Sequence, residues 1–112
     1  MTSGARSRPT WQTDECPPWC VTDHRESDPP EDRFHDSATH YVPVTLGIKD
    51  SDQLTPAITP AELFLTTSRP CGEHDDWTFV GEPARHGQHL MLSKESARRL
   101  AEALLEHLDT LT

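Results

Sequence analysis

The chain changes character near residue 38. Before it, apolar side chains are sparse and Pro, Asp, Glu and Arg are frequent; after it, the apolar positions acquire a period. Val42, Val44, Leu46 and Ile48 alternate with Tyr41, Pro43, Thr45 and Gly47, the period of a half-buried strand. Pro43 has no N–H to give a ladder and predicts an edge position or an early bulge. Residues 49–60 are polar with two prolines and predict a loop. In residues 61–67, Thr59-Pro60-Ala61-Glu62 resembles a helix start. The apolar run that follows is short and closed by Arg69-Pro70, so a strand is the better reading. Residues 76–81 and 88–92 predict two more strands, joined by a loop containing Pro83 and Gly87.

The last element is a helix from about Lys94 to Asp109, capped by Ser93. Ala97, Leu100, Ala101, Leu104, Leu108 and Leu111 share one face with Leu105 at its margin, and Arg98, Arg99, Glu102, Glu106 and Asp109 cover the other. The ordinary role of such a face is packing on the chain's own sheet. The expectation is an α+β fold: a small three- to four-stranded, mostly antiparallel sheet with one C-terminal helix across a face and an N-terminal Cys/His zinc knuckle. Residues 1–14 cannot bury enough apolar surface to offset ordering entropy and predict a disordered tail. Residues 15–38 form the knuckle and 39–112 the sheet-plus-helix part, with 15–112 as a single domain.

A core drawn from roughly 70 residues is small, and domains of that size often need a metal, disulfides or a partner subunit. The net charge of −9 argues against a phosphate backbone or an anionic membrane as partner, while a basic protein stays open. No segment reaches the apolar length of a membrane span, and residues 1–12 lack a secretory signal's apolar run. The expected compartment is the cytoplasm, where disulfides are rare, and three cysteines make a poor disulfide framework.

The segment that carries chemistry is Cys16-Pro-Pro-Trp-Cys20-Val-Thr-Asp-His24 followed by His35, with spacing C-x3-C-x3-H-x10-H. Two thiolates and two imidazoles are a standard tetrahedral zinc set, and Pro17-Pro18 stiffens the turn between the sulfurs. Four ligands within 20 residues suit a closed structural site. Trp19 is expected to shield the sulfurs. A rival set replaces the two histidines with Cys71 and His74, and His40 is an alternative to His35. His86, His89 and His107 read as structural or solvent-facing. A Cys16–Cys20 disulfide and a Cys20 nucleophile with His24 as base are the less economical uses of the same atoms. A catalytic zinc would need an open position and a carboxylate base, and none of Asp23, Glu26, Asp28, Glu31, Asp32 and Asp36 stands out.

Cys16-Pro17-Pro18-Trp19-Cys20, Thr22-Asp23-His24, His35 and the run from Leu92 to Leu104 (LSKESARRLAEAL) resemble a domain of unknown function found in small actinomycete proteins, over about residues 15–110. The resemblance implies a compact domain with a Cys/His metal knuckle that excludes Cys71 and His74. It brings no activity. The functional expectation is a small, zinc-stabilised, non-enzymatic regulatory or adaptor module acting through protein contacts. The alternatives are a zinc-dependent hydrolase and a nucleic-acid-associated regulator. Dimerisation through the helix or an edge strand is open.

Overall fold

A computed structural model of the chain describes residues 8–83 and 89–112. Five strands and one helix follow in order: β1 (Phe34–Asp36), β2 (His40–Ile48), β3 (Ala57–Pro70), β4 (Trp77–Gly81), β5 (His89–Ser93) and α1 (Lys94–Asp109). The fold is α+β, with every strand pair antiparallel. Gly87 and His86 lie outside the described residues.

Strand β3 is the spine of the sheet. Its first half pairs with β2 (His40 opposite Leu65, Ile48 opposite Ala57) and its end pairs with β1 on the same side (His35 opposite Arg69). Its other side carries β4 only along Phe64–Ser68, and β5 lies beyond β4. Strand β2 is therefore an edge strand, as Pro43 predicts. Strand β3 starts at Ala57, inside the expected loop, because Pro60 sits where β3 has a neighbour on one side only. The β1 strand adds a short pairing within the expected knuckle and puts His35 at a fixed register.

The β3–β4 turn depends on one glycine. Glu73 N–H donates to the Pro70 carbonyl at 3.0 Å, and Gly72 between them has φ +86°. A turn with a left-handed third residue favours glycine there.

Helix α1 forms as expected, with Ser93 Oγ accepting from Ser96 N–H at 3.2 Å. It does not lie across the sheet: it approaches β4 and β5 alone. Leu100, Leu104, Leu105, Leu108 and Leu111 are 45–66 % exposed. The cause is local. Ser93 is both the last residue of β5 and the helix cap, so no connecting residue is left to fold the helix back. Among the described residues no aliphatic or aromatic hydrophobic side chain other than Pro9 is buried, whereas Gln12, His24 and His35 are, His35 completely. No described helix is long and apolar enough to cross a membrane.

Candidate metal centre

The most enclosed point of the molecule is polar. Three pieces of chain build it: residues 9–14, the knuckle, and the end of the sheet at β1 and the β3–β4 turn. The knuckle turns first at Pro17–Cys20, where Cys20 N–H donates to the Pro17 carbonyl at 3.0 Å. It is then tied to β1 by Val21 N–H on the Asp36 carbonyl at 2.9 Å. Thr22 Oγ1 receives the Asp36 N–H at 3.2 Å, and Ser68 Oγ donates to the Asp36 carboxylate at 2.8 Å. These ties set His24 beside His35 although eleven positions separate them.

Ligand atoms of Cys16, Cys20, His24 and His35 all lie within 4.8 Å of one another, an arrangement that could hold a metal ion. His24 Nε2 is 3.2 Å from His35 Nδ1 and 3.6 Å from Cys20 Sγ. The two rings meet edge to face at 90° with centroids 4.9 Å apart, so their nitrogens converge without the rings stacking. His35 Nε2 donates to Asp14 Oδ2 at 2.9 Å, the bond that in a neutral ring selects the tautomer with a free Nδ1, and Nδ1 faces the cluster. The same carboxylate oxygen receives the Gly72 N–H at 3.1 Å. Oδ1 of Asp14 and Nδ1 of His24 are buried without a hydrogen-bond partner.

Burial and neighbours shift the titrating groups. Burial pushes the Cys16 thiol upward, opposed by the Gln12 amide that donates to its sulfur at 3.6 Å. Burial and the adjacent His35 push His24 down, towards the neutral imidazole a metal requires. For Asp14 burial acts upward, but the Gly72 N–H and the His35 ring outweigh it and hold the carboxyl below its ordinary value. Burial, reinforced by the Asp14 charge, pushes Cys71 up to about 11.

The four residues singled out by spacing are thus brought together, and the rivals are not. His74 and His40 are exposed and outside both groups of potential ligands found among the described residues. Cys71 lies within 4.8 Å of Asp14 and His35 ligand atoms but belongs to a separate group from Cys16 and Cys20. All three cysteines are free thiols.

Trp19 is engaged by a side chain of the sheet. Its ring lies under the Arg69 guanidinium at 5.5 Å, and Arg69 in turn bridges to Asp76 at 2.6 Å. The ring against His24 is that of Trp11, edge-on with centroids 5.8 Å apart. Trp11 is fixed by its indole N–H on the Arg25 carbonyl at 2.9 Å and by the Arg33 guanidinium over its ring at 4.7 Å. Sequence reasoning missed Trp11, Gln12 and Asp14, all within the segment expected to be a tail. A carboxylate two residues before Cys16 was the available signal, and an acidic stretch hides it. Residues 1–7 of that tail lie outside the described residues.

No curated protein and no solved structure matches this chain. The family model of the domain of unknown function DUF6907 matches residues 2–112, and the chain belongs to that family.

Proposed function

We propose that Cys16, Cys20, His24 and His35 hold a structural zinc ion that takes the place of an apolar core, in a non-enzymatic module that acts through protein contacts. One observation carries the reading: the two separations from His24 Nε2, to His35 Nδ1 and to Cys20 Sγ, match the edges of a tetrahedral zinc site. Zinc bonds of about 2.05 Å to nitrogen and about 2.3 Å to sulfur give edges of about 3.3 Å between two nitrogens and about 3.6 Å between nitrogen and sulfur. The separations here are 3.2 Å and 3.6 Å.

Three further features favour a closed centre. The donor set is complete with two sulfurs and two imidazoles, which leaves no coordination position for a substrate. Asp14 is engaged by His35 and Gly72, so it orients a ligand instead of activating water. The site also contains His35, the one large side chain fully buried among the described residues, whereas no described Val, Leu, Ile, Met, Phe, Trp or Tyr is buried. A hydrolase would need an open position, and a nucleic-acid regulator would work against a charge of −9.

Elemental analysis of the purified protein is expected to find stoichiometric zinc. Replacement by cobalt should give the intense visible bands of a tetrahedral site with two thiolates. Protein that is folded and free of metal would end the reading.

A further inference from the structure

We propose that the chain is a reciprocal homodimer in which the leucine face of α1 from each copy covers the apolar face of the β2–β3 hairpin of the other. Two surfaces are left over in a single chain. One is the helix face with Leu100, Leu104 and Leu108, continued by Leu111 just past the helix end, which no described element covers. The other is one face of the hairpin. Register puts Val42, Val44, Leu46 and Ile48 of β2 on the same side as Ala61, Leu63 and Leu65 of β3. Most of these are only half-buried by their strand neighbours, whereas Tyr41, Pro43, Thr45 and Gly47 on the opposite side are exposed. No described helix or strand packs across the apolar side. At its inner end, His40 and Leu65 share a groove of about 410 Å³ with Trp19 of the knuckle, Thr78 of β4 and Lys94 at the start of α1.

A second copy is the occupant because the two surfaces fit each other and neither is matched by any described element of its own chain. Helix α1 has 16 residues, about 24 Å at 1.5 Å each. The hairpin stripe has nine residues along β2, about 30 Å at 3.3 Å each. The direct β5–α1 junction keeps the helix off its own hairpin. A two-fold axis uses both surfaces of both chains and closes the assembly. Taken as flat strips about 10 Å wide, the four faces amount to about 1,000 Å², the size at which specific interfaces begin, before side-chain relief is added. The molecule's 59 Å long axis against 28 and 27 Å is that of a chain with unclosed parts.

The test is the solution mass of the full-length, metal-loaded protein by light scattering across the micromolar range. Twice the chain mass is expected. L104E and V44E should each give a monomer, with zinc content and the strand signal in circular dichroism retained. Mixing L104E chains with V44K chains should restore the dimer by pairing opposite charges across one of the two exchanged contacts. A wild-type monomer, a mass that grows without limit, or a second polypeptide in the peak would overturn the proposal. So would a dimer that survives V44E, which would place the contact between helices alone. Zinc content is read separately, so loss of the dimer with zinc retained leaves the metal reading intact.

Discussion

Removing the Asp14 carboxylate should weaken zinc binding although Asp14 is not a ligand. Its Oδ2 receives the His35 Nε2 proton at 2.9 Å and the Gly72 N–H at 3.1 Å. The first bond fixes the tautomer that offers Nδ1 to the metal, and the negative charge makes that ring a stronger donor. Outer hydrogen bonds of this kind are worth about 10–100-fold in metal affinity, or roughly 1.4–2.7 kcal/mol. Asp14→Ala loses both bonds and the charge and should fall near the upper end. Asp14→Asn can keep an acceptor at the Oδ2 position. Its amide nitrogen would then occupy the place of Oδ1, which is buried and has no partner. That exchange, with loss of charge, places Asn near the lower end. Competition with a chromogenic chelator at neutral pH measures both. An Asp14→Ala protein that folds and binds zinc within about three-fold of wild type would refute the role given to the carboxylate.

Chelation should unfold the domain, because structural zinc contributes about 10–16 kcal/mol against a typical net stability of about 5–15 kcal/mol. Loss of the cooperative melt with excess chelator, recovered on adding zinc, checks it. Cys16→Ala should abolish stoichiometric zinc, whereas Cys71→Ala should keep it, since Cys71 lies outside the group formed by Cys16, Cys20, His24 and His35. Elemental analysis of the two variants decides. Gly72→Ala should cost about 1–2 kcal/mol in denaturant melts because φ is +86°. Steric crowding adds nothing, as the new Cβ would lie 3.6 Å from Thr13 Oγ1. Stability should decline as pH falls below about 6.5. His24 is held below its ordinary value, so the folded chain binds that proton less readily than the unfolded chain. Its contribution is therefore present above the unfolded value and lost as pH falls through the folded one. Proton competition for the metal ligands acts in the same direction. A melting temperature that is flat or rises on acidification would contradict this.

The strands were legible where one face alternates with the other, as in β2, and the helix where its apolar spacing meets a cap at Ser93. Illegible were consequences that depend on neighbours. Pro60 reads as loop until β3 is known to be paired on one side there. Ser93 reads as a cap, but its second role as the end of β5 removes the link needed to lay α1 on the sheet. The four cluster residues were legible because sulfur and imidazole at short spacing form a local pattern. Asp14 was not, since its partners are 21 and 58 positions away and it is one acidic residue among 19.

Residues 8–14 expose the assumption behind the expected tail. Low hydrophobicity argues for disorder when burial of apolar area is the only compensation for ordering entropy. Here the compensation is directional. Thr10 N–H donates to Glu26 at 2.9 Å, Trp11 to the Arg25 carbonyl at 2.9 Å, and Asp14 accepts from His35 and Gly72. Such ties act only where both ends are already placed, and the knuckle is what places Arg25, Glu26 and His35. A metal that fixes His24 and His35 would therefore order this segment indirectly. Tail, knuckle and β3–β4 turn should then gain protection from hydrogen exchange together when zinc is returned to the chelated protein. Protection of residues 10–14 that persists without metal would mean that the polar ties suffice alone.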